Sequence, residues 1–526
     1  MKNVKMLLAG PGTSKTTKIK EIVKNKLKTQ PDSKILVLSF TNATVNDLLS
    51  ELSEIGINSK NCMTLHSFAL QINHLKNEYI LAPESEEKII KEISELLNLD
   101  FVQVCKLLEC ITFKQMISEC VKFIRINPQY SNEKIGNLDL LVVDEFQDFN
   151  IEERELISVI SDKSNETIIL GDDDQCIYGF KDADSEEIIK LFNDEKILKI
   201  EHENKCYRCP RDVVIAGNKL IKRNRNRVDK EWNVHNTHDG LEFFQTRNQS
   251  ETNKLVIDKI KQIRTASSES SIMVLSNVSF ASEPLIKALD AENIEVRNQW
   301  QTRMSLETME KIWWLRTIFS RRKLLNLIFL LRKKGMRSKQ KKEAVLEVLN
   351  NHFQSGVSNS ETIKKLVKLG TINSNLLSNI EDTITVDTFL TEHPEFTEFS
   401  NLLNDESPQN TYDSLPSLLS EKEGFDKTKI NLMSVYKSKG LQADHVIILG
   451  LVDGILPRSS QNIDDIEAER RLFFVGLSRA KIGLCLISQI CWPSTIAFKV
   501  DKNKFKFNGK LEVRGQASPF ISELTQ

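Results

Sequence analysis

The sequence predicts an α/β protein built on two parallel sheets, each interrupted by an inserted, mainly helical segment. Three observations predict it. Short apolar runs alternate with helix-like periodicity from the N-terminus onward, the pattern of a parallel sheet covered by helices. That alternation breaks off twice, for long stretches with apolar residues three and four apart, and twice resumes. Finally, 526 residues are too many for one compact core and are expected to divide into roughly two to four domains.

Taken in order, VKMLLAG is the first strand, followed by a turn and a Lys-rich helix from Thr16 to Leu27. The strand KILVLSF, a second helix and a short strand near CMTLHSF follow. From about Ala69 to Asn137 the pattern is helical, as in EEKIIKEISELLNL and CKLLECITFKQMISECVKFI. Strands resume at LDLLVVDE and TIILGDDD, so the sheet continues after the interruption. A second α/β pattern starts at SIMVLSN, is broken from about Gln299 to Asp426, and resumes at INLMSVYKSKG and HVIILGL. The expected division is therefore 1–68 with 138–198, an insertion at 69–137, 199–298 with 427–526, and an insertion at 299–426.

Composition excludes several classes. Hydrophobic residues at 40% and charged residues at 28% are ordinary for a globular protein. No run reaches the roughly 18 apolar residues of a membrane span, and the N-terminal apolar run is too short for a secretory signal. The expectation is a cytoplasmic protein with no membrane partner. Nine cysteines, an odd number widely scattered, favour reduced thiols over a disulfide framework. Cys206 and Cys209 have CxxC spacing, but no second ligand pair follows, so buried thiols rather than a metal site are expected. The net charge of -1 decides nothing about nucleic acid, because a basic groove can sit on a neutral protein.

After the first strand stands Ala9-Gly10-Pro11-Gly12-Thr13-Ser14-Lys15-Thr16-Thr17, close to the Walker A pattern. Backbone N–H groups at a helix N-terminus would cradle phosphates, Lys15 would reach the outer ones, and the Thr16 hydroxyl would ligate magnesium. Ser14 replaces the glycine expected before the lysine, and a strain of about 1 kcal/mol follows from its Cβ. Leu140 to Val143 form an apolar strand ending in Asp144 and Glu145. There Asp144 would hold magnesium and Glu145 would polarise an attacking water. Phe146-Gln147-Asp148 extends this run, and a second strand delivers Asp172, Asp173, Asp174 and Gln175. Three acids and two glutamines are thus expected to converge on adjacent strand ends.

These segments resemble the UvrD-like superfamily 1 helicases, the UvrD, Rep and PcrA group. VVDEFQDFN, ILGDDDQCIYGFKDAD, CYRCP, SVYKSKGLQADHVIILGLVDGILP and EAERRLFFVGLSRAK look like that family's motifs, in order and across most of the chain. The resemblance implies two RecA-like sheets with ATP and Mg2+ between them, and 3′ to 5′ movement on single-stranded DNA with action at single-strand/duplex junctions. It gives Gln175 a γ-phosphate-sensing role, Tyr207 a stacking role on adenine, Gln442 a place near the ribose, and Arg208 and Arg479 the transition-state charge. A guanidinium suits that task, being always charged and able to donate twice to phosphate. Phe40, Tyr178 and Phe180 match positions on which bases stack, since every base offers a π face. Thr41, Asn42, Thr64 and His66 would hold the backbone, with Ser434, Lys439 and Lys181 as further DNA candidates.

Some positions depart from the family pattern. The first strand opens the sequence, so the upstream glutamine segment that reads adenine is expected to be missing, leaving selectivity to Tyr207. Tyr436 stands where the family often has histidine, and Gln442 where it often has glutamate. Lys181 replaces arginine and loses the planar fork. No Gly-Ile-Gly hairpin is evident in the second insertion, although Arg321-Arg322-Lys323 and Arg332-Lys333-Lys334 form a basic stretch that is otherwise a solvated helix face. Two other readings stay open: a nucleotide-gated DNA binder whose hydrolysis Ser14 has crippled, and a motor whose track is RNA. No nuclease constellation is visible, so a cleaving or repair partner would be a separate chain.

Overall fold

The computed structural model describes residues 3–72, 80–81, 87, 90–91, 94–95, 100–107, 110–129, 135–179, 185–301, 388, 391, 425–458, 462–500, 504–507 and 511–525. Phe180, Lys181 and the basic stretch from Arg321 to Lys334 lie outside them. The chain divides into two compact units, one comprising Met1–Ile72, Cys120–Trp300 and Phe425–Gln526, the other Asn73–Glu119 and Gln301–Gly424. In the second unit, Ile80–Leu81 pairs in parallel with Cys110–Ile111, and Phe101–Leu107 is helical.

The first unit contains both large sheets. Strands β1 (Val4–Leu8), β2 (Ile35–Ser39), β3 (Cys62–Thr64), β4 (Leu140–Val143), β5 (Thr167–Gly171) and β6 (Leu198–Lys199) form an all-parallel sheet in the order β3-β2-β4-β5-β1-β6. β2, β4 and β5 are buried at every residue, which is why they read as unbroken apolar runs rather than alternating ones. Leu8 lies opposite Gly171 in the β1–β5 register, and the next amide, Ala9 N–H, donates to the Gly171 carbonyl at 3.1 Å. The phosphate-loop sequence and the turn after β5 therefore start side by side.

The second sheet is also all parallel. It comprises β7 (Leu241–Thr246), β8 (Ile272–Ser276), β9 (Val296–Asn298), β10 (Ile430–Ser434), β11 (Ala443–Leu449) and β12 (Ala480–Gln489), in the order β7-β12-β11-β8-β10-β9. β9 and β10 are neighbours, with Val296 opposite Ile430 and Asn298 opposite Leu432. The chain thus leaves this sheet and re-enters it on adjacent strands. A short antiparallel sheet of Cys491–Pro493, Phe505–Phe507 and Glu512–Gly515 closes the C-terminal end, around a core that includes Trp492 and Val452.

Four helices matter for the site: α1 (Lys15–Thr29), α2 (Asn42–Leu52), α3 (Arg211–Ile221) and α4 (Ile463–Leu477). Trp232 is wedged between α3 and α4, edge-on to Phe474 with ring centroids 5.3 Å apart. It fits because Gly217 lacks a Cβ, which would stand 2.9 Å from the indole. A mid-helix glycine costs about 0.5–1 kcal/mol relative to alanine, and here that cost admits the largest side chain of the interface.

The acids after β5 emerge on the strand end next to that of β4, but their charges are taken up by cations from later in the chain. Asp172, Asp173 and Asp174 are buried and turn toward Lys230, whose ammonium lies 3.2 Å from Asp172 and 2.7 Å from Asp174 and also bonds Asp173. Arg227 meets both Asp174 carboxylate oxygens, at 3.0 and 2.9 Å. The physical reason is charge balance: three buried carboxylates whose oxygens lie within 4.8 Å of one another require cations, and 227–230 supplies them. Removing one partner of such a pair leaves uncompensated buried charge. Lys230→Met is therefore expected to lower the unfolding free energy by about 3–5 kcal/mol, measured by urea denaturation.

Candidate functional site

The site is assembled from residues that follow the C-terminal ends of the first sheet's strands, the edge where open parallel sheets bind ligands. Ala9–Ser14 follows β1, Phe40 and Thr41 follow β2, Asp144 and Glu145 follow β4, and Asp172–Gln175 follows β5. The second sheet contributes Lys439, Gln442 and Arg479, and the segment before it contributes Tyr207 and Arg208. Together they enclose a cavity of about 500 Å³ lined by Pro11 to Thr16, Asp144, Glu145, Gln175, Tyr207, Arg208, Gln442 and Arg479. Ala9 and Gly10 are buried behind the loop and Thr17 is exposed on α1, so these three do not line it.

The loop before α1 is tied down from outside. Trp232 Nε1–H donates to the Pro11 carbonyl at 2.8 Å, Tyr207 N–H to the Gly12 carbonyl at 2.9 Å, and Asn204 Oδ1 accepts from Gly10 N–H at 2.7 Å. His202 Nε2 lies 2.7 Å from the Thr13 carbonyl. Gly12 has φ +68°, and a Cβ there would meet Arg208 Cβ at 2.6 Å, so only glycine fits. Ser14 has φ 66° and ψ 34°, the left-handed region in which a non-glycine residue is strained. This is the position where the sequence placed strain. Lys15 Nζ is folded onto the loop, donating to the Ala9 and Gly10 carbonyls at 2.9 and 3.1 Å.

Across the cavity, Glu145 also has a left-handed backbone, with φ 54°, and its carboxylate accepts from Gln147 Nε2 at 2.5 Å. Among the described residues, Asp144 Oδ1 is buried with no hydrogen-bond partner. Burial, and then the Glu145 charge, raise the Asp144 carboxyl to about 7. Glu145 is held below the usual range: burial would raise it, but Lys439 and Lys15 outweigh that. An unpartnered, desolvated carboxylate oxygen in a cavity that Thr16 also lines fits a divalent cation, whose charge would replace the missing donor.

Gln175 and Arg479 join the two sheets. Arg479 Nη2 donates to Gln175 Oε1 at 3.0 Å, Gln175 Nε2 donates to Asp172 at 2.6 Å, and the guanidinium also donates to the Val475 and Leu441 carbonyls. Burial, and then Arg208, lower Arg479 to about 9, still protonated at neutral pH. Arg208 Nη1 donates to the Ser478 carbonyl at 3.2 Å. Tyr207 is 49% exposed and packs at a tilt on His235, 4.4 Å between centroids, leaving ring surface toward the cavity.

The residues matched to a nucleic-acid track fall into different environments. Phe40 and Tyr178 are partly buried and in contact, with centroids 5.3 Å apart, and Phe149 meets Phe40 edge-on at 5.4 Å. Thr41 caps α2, its Oγ1 accepting from Thr44 N–H at 3.1 Å, and Thr64 accepts from Ser67 N–H at 3.1 Å. Asn42 is exposed at the start of α2, and His66 Nε2 lies 3.5 Å from Glu153. Ser434 is buried and accepts from Lys437 N–H at 3.2 Å. Lys439 requires correction: it is buried between the sheets, bonding Asp148 at 2.6 Å and the Gln175 carbonyl at 2.7 Å. A buried ammonium needs a counter-charge, and Asp148 holds it away from any surface strand.

Thr44, Asp47, Asn236, Gly440 and Lys481 also line the cavity, and the sequence reading missed them. Two had a signal. Thr44 and Asp47 are three apart on α2 and so share a face, and Lys481 lies two residues beyond Arg479 at the start of β12, the spacing that returns to the same side. Asn236 had none; its amide donates to the Tyr207 and Cys209 carbonyls. Burial raises the Asp47 carboxyl, with Arg208 opposing it.

Two family models match the chain: an AAA domain over residues 1–181 and a UvrD-like helicase C-terminal domain over residues 300–489. Among curated relatives, the ATP-dependent DNA helicase Rep of Buchnera aphidicola (subsp. Acyrthosiphon pisum) is 25% identical, covering 80% of this chain and 74% of its own length. The ATP-dependent DNA helicase PcrA of Staphylococcus epidermidis is 22% identical over 78% of this chain and 63% of its own. A probable DNA helicase II homolog of Rickettsia conorii is 21% identical over 91% and 89%. The chain is UvrD/Rep/PcrA-like, and its two parallel sheets are consistent with the RecA-like pair of such proteins.

Two outcomes follow. Ser14→Gly relieves a left-handed side chain and should raise the unfolding free energy by about 0.5–1 kcal/mol, read by thermal or urea unfolding. Asp144 ionises near ~3.9 in an unfolded chain but near about 7 in the fold. Between those values the native state holds a proton that the unfolded chain has lost, so this group's contribution to stability falls as pH rises. Without metal, Asp144→Asn should match the parent at about pH 4 and exceed it at about pH 8, checked by urea unfolding at both.

Proposed function

We propose that this UvrD/Rep/PcrA-like chain is an ATP-dependent DNA helicase, a motor that moves 3′ to 5′ along single-stranded DNA and acts at single-strand/duplex junctions. One observation carries the reading: Gln175 of the first sheet and Arg479 of the second are hydrogen bonded at 3.0 Å on the wall of the cavity that also holds Lys15 and Glu145. A phosphate entering there would be sensed from both sheets at once. Nucleotide occupancy then governs how the sheets close, which is what a translocating ATPase requires.

In this reading Thr16 and Asp144 hold Mg2+, which neutralises phosphate charge when bound. Lys15 leaves the loop carbonyls for the outer phosphates, and Pro11 to Thr16 cradle them with Thr17 continuing the helix start. Glu145, ionised by its lysine neighbours, accepts the proton of the attacking water. Arg208 and Arg479 stabilise the developing charge, Tyr207 stacks on the base, and Gln442 faces the ribose. Nucleotide binding falls to 1–68 with 138–198 and to 199–298 with 427–526, the insertions being 69–137 and 299–426.

Phe40 and Tyr178 form the stacking platform for the track, with Phe180 and Lys181 as its neighbours in sequence. Thr41, Asn42, Thr64, His66 and Ser434 are the backbone-facing candidates. Lys439 is better placed as a link between Asp148 and the Tyr178 ring, 5.2 Å from its ammonium. The cytoplasm is the compartment proposed; among the described residues no helix is long and apolar enough to cross a membrane. Cleavage, where it accompanies the motor, falls to a partner nuclease or repair protein.

The reading is tested by ATP hydrolysis with and without single-stranded DNA. DNA should stimulate the parent, and Glu145→Gln should lower turnover by about 10²-fold or more while nucleotide still binds. An unstimulated parent, or a Glu145→Gln variant as fast as the parent, overturns it. Tyr178→Ala should weaken single-stranded DNA binding by about 1–3 kcal/mol, read by fluorescence anisotropy against matched DNA and RNA strands. A preference for RNA would move the track assignment.

A further inference from the structure

Cys206 ends the short strand Lys205–Cys206 beside the phosphate loop, and Cys209 stands just before Pro210, the residue preceding α3. Both are fully buried and unbridged. Cys209 N–H donates to Cys206 Sγ at 3.3 Å, and the Cys209 thiol donates to the Ser478 carbonyl at 3.5 Å. That carbonyl also accepts from Arg208. On its other side, Cys206 Sγ lies 3.3 Å from where a Gly12 Cβ would be. The residues between the two sulfurs, Tyr207 and Arg208, both line the cavity.

We infer that Cys206 and Cys209 are a redox-sensitive dithiol whose oxidation to a disulfide fixes the Tyr207–Arg208 turn and lowers nucleotide turnover. The effect on turnover rests on the proposed function above; formation of the bond does not. A hydroperoxide is the oxidant required. The Cys206 thiolate attacks one peroxide oxygen, an S–O bond forms as the O–O bond breaks, and the leaving oxygen takes up a proton to become water or an alcohol. The Cys209 sulfur then attacks that sulfenic acid. An S–S bond forms, the S–O bond breaks, and hydroxide leaves with the second thiol proton as water. Two thiols have lost two electrons and the peroxide has gained them.

The environment divides the roles. A hydrogen bond from the Cys209 thiol to the Cys206 thiolate, made in place of the one to Ser478, is set against burial and aided by the Cys209 and Arg208 backbone N–H groups; it brings Cys206 down to about 7, whereas burial and then the Cys206 thiol push Cys209 well above its ordinary value. This is the split between an attacking and a resolving cysteine. Cys62, Cys120, Cys176 and Cys485 are pushed up to about 12, 12, 11 and 12, each first by burial, and stay thiols. Because neither sulfur of the pair is exposed, an oxidant reaches them only as the cavity wall opens, so bound nucleotide should slow the reaction.

The test treats the full-length chain with hydrogen peroxide, blocks remaining thiols by alkylation and maps disulfide-linked peptides, since Cys105 and Cys110 are also close enough to hydrogen bond. The expected result is a Cys206–Cys209 bond, a fall of about tenfold in ATP turnover from a displaced Arg208, reversal by dithiothreitol, and several-fold slower oxidation with a non-hydrolysable ATP analogue. Cys209→Ser, whose hydroxyl can still donate to Ser478, should retain turnover and lose peroxide sensitivity. Absence of the bond, or its formation with turnover and analogue affinity both unchanged, overturns the inference. If the reduced parent does not hydrolyse ATP, the motor reading fails, while peptide mapping and the affinity for a fluorescent ATP analogue still decide the dithiol.

Discussion

Charge compensation across the seam between the two sheets is the interaction on which the rest depends. A parallel sheet gathers its strand ends at one edge, and in this sequence two neighbouring ends, those of β4 and β5, carry acidic and amide side chains. Left to itself the first sheet would bury Asp144, Glu145, Asp148 and Asp172–Asp174 with Lys15 as the cation facing Asp144 and Glu145. Every compensating group but Lys15 comes from later in the chain: Lys230 and Arg227 for the triple aspartate, Lys439 for Asp148, and Arg479 for the amide of Gln175. The first sheet's edge is therefore complete only when the second half has folded against it.

This arrangement explains why much of the site was legible in the sequence and why some was not. Apolar runs such as LLVV and TIILG announced buried parallel strands, and acids placed just past them had to emerge at one edge. Ser14 was legible because a loop entering a helix this way needs a left-handed residue before the lysine, whatever occupies it. The destination of Asp172–Asp174 was not. Their partners lie in NRNRVDKEW, a stretch without periodicity, and nothing local tells an aspartate whether it will face phosphate or a lysine more than fifty residues away. Trp232 was equally silent: its indole N–H finds the Pro11 carbonyl only after α3 and α4 have made its slot. Lys439 misled for a related reason, since a lysine in a polar run resembles a surface contact until its burial is known.

The strained residues follow a similar logic. Among the described residues, Ser14 and Glu145 are the two non-glycine left-handed residues on the cavity wall; Ser14 stands where the loop enters α1 and Glu145 just past the end of β4. Backbone strain of this kind persists only where neighbours over-determine it. For Ser14 these are the bonds of Pro11, Gly12 and Thr13 to the segment 202–232; for Glu145 they are Gln147 and the cations Lys439 and Lys15.

Those loop bonds have a mechanical meaning. The carbonyls of Pro11, Gly12 and Thr13 are each held by a residue of the strip that leads into the second sheet, so the loop and that strip move as one lever. In a chain that moves along nucleic acid as proposed, a load on the second sheet would be carried to the loop through these three hydrogen bonds. In that proposed cycle, resistance from the track would register as altered grip on phosphate, and the loop would serve as a strain gauge.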